Sequence, residues 1–501
     1  MSANLAGNLL ETARLHADLV AVRLDDVRLT YADLDRASGR LAGWLRDSGI
    51  RPGDRVGIML PNVPDFALAY YAGLRAGAVI VPMNVLLKQR EVAYSLGDSG
   101  ASLLVAWSAF AEAAEAGAAE AGTRCVLLRP GDLDALTAGS TPLDQPLDRQ
   151  PDDTAVILYT SGTTGRPKGA ELTHANLTRN AEVAGRLFAM DAGSVVLGAL
   201  PLFHAFGQTC GLNASIACGA TLTLLPRFEP GRALEVMARD RVTVLEGVPT
   251  MYAALLHHPG REAHDLSALR LCVSGGAALP AEVLRGFEAA FGCAVVEGYG
   301  LSETSPLASF NRANRERKAG SIGTPVDGVE MKLVEDDGRD APPGEVGEIV
   351  IRGHNVMKGY WRRPDATAEA ISPDGWFRTG DLARRDEEGD FFIVDRRKDM
   401  VIRGGYNVYP REIEEVLYQH PAVRECAVVG IPDAELGEEV GAAVVRKPGA
   451  EAGADELRDF VRAQVAAYKY PRHVWFVDEL PKTATGKIVK REIERPAEVA
   501  R

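Results

Sequence analysis

One loop holds the densest group of residues able to do chemistry. It reads Tyr159-Thr-Ser-Gly-Thr-Thr-Gly-Arg-Pro-Lys-Gly169 and continues an apolar run from Ala155 that predicts a buried strand. Thr173 is then expected to cap a helix. Between a strand and a helix, such a loop can turn backbone N–H groups and hydroxyls around phosphate oxygens. It is not a Walker-type P-loop, because Lys168 is followed by Gly169 rather than Ser or Thr. A plain surface turn is the alternative.

A second loop combines acidic, aromatic and small residues. It reads Glu297-Gly-Tyr-Gly-Leu-Ser-Glu303 and follows the strand-like stretch 294–296. A carboxylate in such a loop can hold Mg²⁺, a cation that takes a few protein oxygens together with phosphates. Tyr299 offers a flat face for a base. The alternative is a β-turn with an exposed glutamate.

Three more stretches could contact a nucleotide or an acid. Ser274-Gly-Gly-Ala-Ala278 has no bulky side chain, so another group can approach its backbone closely. In Trp376-Phe-Arg-Thr-Gly-Asp381 a carboxylate follows a glycine turn and could accept both hydroxyls of a ribose. Pro481-Lys-Thr-Ala-Thr-Gly-Lys487 ends in a lysine near the C-terminus. Taken singly, each also fits a simple turn or a solvated charge.

Composition narrows the class of protein. The chain has 501 residues, too many for one core, so at least two domains are expected. A net charge of −13 argues against binding to nucleic acid or to an anionic membrane. The sequence predicts no transmembrane segment and no signal peptide, and therefore a cytoplasmic protein. The six cysteines lack metal-site spacing and are expected to be small buried residues rather than disulfides.

The order of elements predicts an α/β fold. Strand, helix and strand alternate within residues 55–81, which indicates a βαβ unit and a parallel sheet with helices on its faces. From Val329 an alternating pattern predicts antiparallel strands and a β-rich subdomain. We expect a large domain, 1–394, and a small α+β domain, 395–501.

Together these motifs, in this order, resemble those of the adenylate-forming superfamily, in particular its acyl-CoA synthetases (fatty-acid–CoA ligases). The resemblance implies a mobile small domain that pivots at Lys398, within Asp395-Arg-Arg-Lys-Asp399. It implies catalytic roles for Lys487, Glu303 and Ser302, with Glu303 as the metal ligand. It also implies nucleotide contacts from the motif residues: Thr160, Ser161, Gly162, Thr163, Thr164, Gly165, Lys168, Gly275, Gly276, Ala277, Glu297, Gly298, Tyr299, Gly300, Asp381, Arg396 and Lys487.

The same resemblance implies a two-step reaction. A carboxylic acid attacks Mg·ATP to give acyl-AMP, and the thiol of coenzyme A then takes the acyl group. Gly404, Gly405 and Tyr406 match the segment that lines the CoA tunnel. ATP, Mg²⁺ and CoA are therefore the expected cofactors and co-substrates. A homodimer is one assembly that the sequence leaves open.

The acid itself is read from Pro201-Leu-Phe-His-Ala-Phe-Gly-Gln208 and its surroundings. This segment has no Asp for a substrate ammonium, which favours a CoA ligase over an amino-acid adenylation domain. His204 is expected at the acyl or CoA entrance, although a hydrogen-bonded core histidine is equally consistent. Small and apolar residues are expected to line an acyl channel for a medium- to long-chain or bulky acid: Phe206, Gly207, Val248 and Gly298.

Three rival functions remain from the sequence. A free-standing ligase that transfers the acyl group to a carrier protein would use the same motifs. A luciferase-like oxygenase would share the fold and the adenylation step. A non-catalytic nucleotide-binding relative is the third, against which the intact Lys487, Glu303 and Asp381 argue.

Overall fold

The computed structural model describes residues 3–160, 166–312, 317–335, 337–433, 435–483 and 486–496. The helices within these residues are α1 Gly7–Leu15, α2 Tyr31–Asp47, α3 Pro64–Arg75, α4 Gln89–Ser99, α5 Ala111–Ala121, α6 Asp132–Leu136, α7 His174–Leu187, α8 Ala214–Cys218, α9 Pro230–Asp240, α10 Pro249–Leu256, α11 Ala281–Phe291, α12 Pro364–Ala370, α13 Pro410–Tyr418 and α14 Ala454–Arg462.

The strands are β1 Val20–Leu24, β2 Val27–Thr30, β3 Arg55–Met59, β4 Val79–Pro82, β5 Ala101–Trp107, β6 Arg124–Leu128, β7 Thr154–Thr160, β8 Lys168–Thr173, β9 Val195–Gly198, β10 Thr221–Leu224, β11 Val244–Gly247, β12 Leu271–Ser274, β13 Val295–Gly300, β14 Leu307–Phe310, β15 Ser321–Pro325, β16 Val329–Val334, β17 Gly347–Gly353, β18 Gly359–Tyr360, β19 Phe377–Arg385, β20 Phe391–Arg396, β21 Val401–Arg403, β22 Tyr406–Val408, β23 Val423–Asp433, β24 Gly437–Arg446 and β25 His473–Phe476.

Two large sheets form the N-terminal part, as the α/β prediction requires. One has the strand order β18-β8-β7-β4-β3-β5-β6, and β3 and β4 pair in parallel across helix α3. This confirms the predicted βαβ unit. The other runs β16-β17-β19-β20-β15-β14-β13-β12-β11-β9-β10-β1-β2, with parallel pairing from β13 to β9. The buried faces of both sheets contribute to one large apolar core.

The first motif lies in a hairpin, not between a strand and a helix, so that expectation was wrong. Strands β7 and β8 pair antiparallel, from Thr154 with Thr173 to Thr160 with Lys168. Helix α7 begins only at His174, after Thr173 caps it by accepting a hydrogen bond from the Asn176 amide. Six residues of strand between the loop and the helix were missed because their glycine and charged residues read as loop. The predicted phosphate-contacting residues between the strands lie outside the described part of the chain: Ser161, Gly162, Thr163, Thr164 and Gly165.

The antiparallel region predicted from Val329 is confirmed. Strands β16, β17, β19 and β20 form antiparallel pairs and continue the larger sheet through β15 and β14. The β-rich region is therefore an extension of the parallel sheet. Its consequence for the site is that Asp381, on β19, lies within the same sheet as Tyr299, on β13.

The C-terminal part has a sheet and a core of its own. Strand β24 pairs antiparallel with β23 and parallel with β25, and apolar residues of α13 and α14 pack on this sheet. The predicted boundary at 394/395 falls within β20, whose last two residues still pair with the large sheet. The next strand, β21, already belongs to the small sheet. The location of the boundary itself stays a prediction.

The cysteines and helices bear on the class of protein. All six cysteines are free thiols, four of them buried. Among the helices that the structure describes, none combines the length and the hydropathy that crossing a membrane requires.

The backbone approaches itself closely at Gly300, within the second motif, and adding one methyl group tests this close approach. A Cβ at Gly300 would lie 1.7 Å from the carbonyl oxygen of Pro306, so the chain entering β14 would have to move. Gly300→Ala should lower the free energy of unfolding by about 1–3 kcal/mol or more, the usual cost of overpacking. Gly97→Ala is the matched control, because that helical glycine has no described atom within 4 Å of its Cβ position. It should stabilise helix α4 by about 0.5–1 kcal/mol. Thermal unfolding followed by circular dichroism measures the stability of both variants. Equal stability of the two would contradict the close approach at Gly300.

Candidate active site

The site lies at the carboxyl ends of parallel strands, where open α/β sheets bind ligands. Gly247 is level with Ser274, and Ser274 with Glu297, at the ends of β11, β12 and β13. The turn after β12 holds Gly276 at φ +81°, a conformation that glycine adopts without strain. A Cβ on the preceding residue, Gly275, would lie 3.0 Å from the ring of Phe206. The turn is therefore open to close approach from one side and covered by an aromatic ring on the other.

Tyr299 and Asp381, predicted to contact base and ribose, are brought together. The Tyr299 hydroxyl donates to Oδ2 of Asp381 at 2.6 Å, and the Arg396 guanidinium lies 3.3 Å from Oδ1. Burial raises the pKa of Asp381 above its usual range, although Arg396 opposes this. The cluster thus presents a ring, a carboxylate and a guanidinium within one sheet.

Glu303 is the second buried carboxylate, and two hydroxyls hold it. Its Oε1 accepts hydrogen bonds from the Thr160 hydroxyl at 3.2 Å and from the Tyr360 hydroxyl at 3.1 Å. Lys168 lies over the Tyr360 ring, 5.2 Å from its centroid. The hairpin that carries the first motif is thereby tied to the loop of the second. Ser302 opens the short helical turn that contains Glu303.

Lys487 comes from the small domain and reaches this site. Its Cε and Nζ lie 3.0 and 3.7 Å from the point where a Cβ at Gly276 would be. Gly486 beside it accepts a hydrogen bond from the Thr250 hydroxyl at 3.2 Å. The pKa of Lys487 is lowered to about 8, chiefly by burial and also by the Arg396 guanidinium, while the carboxylates of Asp381 and Glu303 oppose the shift.

Glu297 occupies a different place from the one expected of a nucleotide ligand. Its Oε1 accepts a hydrogen bond from the Leu279 amide at 3.0 Å, and burial raises its pKa to about 7. The side chain ties β13 to the end of the glycine turn and so positions that turn. The glycines that follow are needed for space, because a Cβ at Gly298 would lie 2.9 Å from the ring of Phe310. Ala277, in the turn itself, is exposed.

His204 and Val248 border the same turn. The His204 ring accepts a hydrogen bond from the Phe206 amide at 3.4 Å, while burial and the nearby Lys487 lower its pKa to about 3. A neutral imidazole next to an ammonium group fits an entrance residue better than a base. Val248 is buried, with Cγ1 3.6 Å from the Cβ position of Gly276.

The expectation that Gly207 borders an open channel was wrong. A Cβ on Gly207 would lie 2.5 Å from the carbonyl oxygen of Pro201 and 2.8 Å from that of Leu200. A side chain there would therefore meet packed backbone. Residues Phe206–Asn213 form a π-helix, whose wider turn changes which residues share a face. Sequence periodicity at 3.6 residues could not anticipate this.

The pivot and tunnel residues lie on the surface. Lys398 is exposed and follows the end of β20. Gly404 and Gly405 form the turn between β21 and β22, with φ values of +55° and +84°. Tyr406 is 60% exposed and stacks on Tyr468, with ring centroids 4.8 Å apart. None of these side chains is locked into the large domain by a hydrogen bond or ion pair recorded among the described residues.

Sequence reasoning missed three residues of the site. Tyr360 holds Glu303 and Thr250 contacts Gly486, yet neither stands in a recognisable motif. Glu246, one residue before Gly247, is a buried carboxyl that no predicted role covers. An acidic residue inside the apolar run Val242–Val248 was the one signal that could have identified it.

The residues present suit Mg²⁺ that arrives with ATP. Among the described residues there is no group of three or more His, Cys, Asp or Glu that could hold a metal ion. Mg²⁺ bound through one carboxylate and substrate phosphates needs no such cage. Glu303 would supply that carboxylate, and the ion would neutralise phosphate charge.

Comparison with known proteins agrees with this geometry. Residues 9–361 match the AMP-binding enzyme family and residues 412–487 match the AMP-binding enzyme C-terminal domain. The chain is 45% identical to feruloyl-CoA synthase of Amycolatopsis sp over 488 residues, 96% of this chain and 97% of that protein. It is 39% identical to the long-chain-fatty-acid–CoA ligase of Bacillus subtilis (strain 168), with 97% and 93% covered.

A solved structure gives information on conformation. ATP-bound MatB from Rhodopseudomonas palustris is 36% identical, with a TM-score of 0.92 and 98% of both chains covered. Apo MatB, at the same identity and coverage, gives 0.83. Because the ATP-bound and apo structures match this chain equally in sequence, the difference in TM-score reflects conformation. The conformation of this chain is therefore closer to that of ATP-bound MatB. These matches show that the chain belongs to the AMP-binding enzyme family and is an AMP-forming acyl-CoA synthetase, an acid–thiol ligase that uses ATP and coenzyme A.

Proposed function

We propose that this synthetase activates a hydrophobic carboxylic acid at the turn Ser274–Ala278, with Lys487 as its catalytic lysine. The proposal depends on the position of Lys487. Its side chain extends from the small domain and lies beside Gly276, near two buried carboxylates. An ammonium group in a water-poor site can stabilise the charge that develops as a carboxylate attacks phosphorus. Positioning and charge neutralisation are the main demands of such a transfer.

Different residues around the turn would contact different parts of the nucleotide. Tyr299 would lie against the base, and Asp381 with Arg396 would hold the ribose. Glu303 would bind Mg²⁺, and Ser302 would lie near the α-phosphate. The support is geometric: the Tyr299–Asp381 bond and the Thr160–Glu303 bond bring the motifs to one place. Lys168 and the loop before it would contact the phosphates.

The second half of the reaction needs Lys487 to leave. We propose that the small domain, predicted from residue 395 onward, turns about Lys398 after pyrophosphate departs. Gly404, Gly405 and Tyr406 would then line the path of coenzyme A. Their exposure is consistent with this, and the CoA thiol would then attack the acyl carbonyl and release AMP.

The apolar residues at the turn favour a hydrophobic acid over acetate. Phe206 and Val248 offer carbon surface beside the turn, and residues 205–213 include no Lys or Arg for a second carboxylate. Each buried methylene contributes about 0.8 kcal/mol, so selectivity should rise with apolar size until the site is filled. The names of the relatives point the same way, since one is called a feruloyl-CoA synthase and another a long-chain-fatty-acid–CoA ligase.

A carrier-protein thiol is the remaining alternative acceptor, because the first half-reaction would be the same. The high coverage of relatives named as CoA ligases favours coenzyme A. We also propose that the enzyme works in the cytoplasm, where ATP and CoA are present. A homodimer is a further proposal, for which sedimentation velocity is the measurement.

The function is tested by ATP–pyrophosphate exchange over a panel of acids, followed by detection of the thioester with CoA. We expect exchange and thioester formation with alkanoic acids of eight or more carbons or with aryl acids, and kcat/KM at least tenfold lower with acetate. A highest kcat/KM with acetate would contradict the hydrophobic site. Exchange without thioester formation would favour a carrier protein as acceptor.

Lys487→Ala should separate the two half-reactions. Acyl-AMP formation should slow by about 10²–10³-fold, the usual effect of losing a charge stabiliser. Thioester formation from supplied acyl-AMP should change much less, because Lys487 has left by then. Lys482→Ala is the matched control, since Lys482 pairs with Glu425 at 2.7 Å within the small domain. Equal loss in both half-reactions would rule out the proposed alternation of the small domain.

Tyr299→Phe tests the nucleotide end of the site. The ring remains, but Asp381 loses the hydrogen bond that it accepts from the hydroxyl. A hydrogen bond to a charged group is worth about 1.5–3 kcal/mol. The KM for ATP in pyrophosphate exchange should rise by about tenfold or more, while the KM for the acid stays within twofold. The opposite pattern, a raised KM for the acid alone, would place Tyr299 at the acyl end instead.

A further inference from the structure

A buried carboxyl that the proposed reaction does not use lies below the glycine turn. Glu246, on β11, is 1% exposed, and its Oε1 has no hydrogen-bond partner among the described residues. The nearby Tyr252 hydroxyl donates to the Leu245 and Val273 carbonyl groups instead. Burial raises the pKa of Glu246 to about 8, so near neutral pH the group is mostly a neutral acid that can both donate and accept. Buried polar groups normally have hydrogen-bond partners, so the unpartnered oxygen of Glu246 calls for an explanation.

The sheet register places Glu246 on the same face as the turn. Glu246 is level with Val273 on the adjacent strand β12. Side chains alternate along a strand, so Val273 and Gly275 share a face, and Gly275 lies about 7 Å further along. The step across to β11 adds about 4.8 Å. A group that extends about 8 Å from Gly275 towards the interior of that face therefore arrives at Glu246.

The π-helix Phe206–Asn213 covers this path. In a π-helix, residue i bonds to residue i+5, so Phe206 and Gly211 lie nearly above one another. Phe206 packs against Gly275, and a Cβ at Gly211 would lie 3.3 Å from Oε2 of Glu246, with no other described atom within 4 Å. Gly211 therefore comes close to the carboxyl with no side chain of its own, whereas Gly207 is packed against backbone.

We propose that Glu246 is a specificity-determining residue of the acyl site, which hydrogen-bonds a hydroxyl group at the end of the acid remote from its carboxylate. This rests on the proposed function, which puts the reacting carboxylate at Gly275, Gly276 and Lys487. The cover of an aromatic ring and a glycine over a flat sheet suits a planar group. The class of acid that combines this shape with a hydroxyl about 8 Å from the turn is the hydroxyaryl acids.

A matched pair of acids tests the proposal on the full-length enzyme. 4-Hydroxycinnamate and 4-methylcinnamate have nearly the same size but differ in the hydrogen bond. The wild-type enzyme should show kcat/KM at least tenfold higher for the hydroxyl compound, mainly through KM, because a site built for a hydroxyl rejects the analogue that lacks it. Glu246→Leu should abolish or invert this ratio. Glu246→Gln, which retains a donor and an acceptor, should preserve at least part of it.

A second variant keeps the test decisive if Glu246→Leu fails to fold. Gly211→Ala puts a methyl group 3.3 Å from the carboxyl, and should lower kcat/KM for both para-substituted acids while sparing unsubstituted cinnamate. A wild-type ratio near one overturns the proposal and leaves the synthetase function intact, and so does a ratio unchanged in Glu246→Leu. Turnover of alkanoic acids alone overturns it as well. Absence of pyrophosphate exchange with every acid would instead refute the proposed function, and this proposal with it.

Discussion

A lysine ammonium held away from water between two domains is the interaction on which the site depends. Lys487 approaches the large domain at Gly276, and its burial lowers its pKa to about 8. Asp381 and Glu303 offset part of that desolvation, while Arg396 adds to it. The docked arrangement without nucleotide is therefore not strongly favoured by charge. A phosphate bound during the reaction would supply a further anion beside the ammonium group.

The two carboxylates are prepared for different partners by their neighbours. Asp381 accepts a hydrogen bond from the Tyr299 hydroxyl and lies beside a guanidinium, surroundings that agree with its proposed contact to a ribose. Glu303 accepts hydrogen bonds from two hydroxyls on one oxygen, Oε1, and its proposed partner is a cation. A third buried acid, Glu297, bonds to the Leu279 amide and serves the backbone of the turn. Residue type alone does not distinguish these three tasks.

Close approach of backbone segments accounts for the glycines of the second motif. Gly298 faces the Phe310 ring, and Gly300 faces the Pro306 carbonyl group. Their absent side chains let β14 pair closely with β13, in the register that sets Tyr299 opposite Ser309. These two glycines are required because a side chain would not fit, and not for an unusual backbone conformation, since neither has a positive φ.

Much of the fold could be predicted from local pattern. The βαβ unit at residues 55–81 and the cap at Thr173 depend on neighbours a few residues away, and they are confirmed. Strand β8 was missed, because its glycine and charged residues do not favour a strand locally and it forms by pairing with β7. The π-helix Phe206–Asn213 was missed too, because its bonding from residue i to residue i+5 gives a period that differs from the 3.6 residues of an α-helix.

By itself the sequence determined the order of the motifs, the chemical groups they carry and the family that they resemble. It could not decide which groups meet, because hydrogen bonds such as Tyr299 to Asp381 join residues 82 positions apart. Only the tertiary structure placed Lys487 at Gly276, turned Gly207 into backbone packing and left Glu246 facing Gly211. The physical reason is that side-chain direction and burial follow from sheet register and helix type, and both are settled by contacts between distant segments.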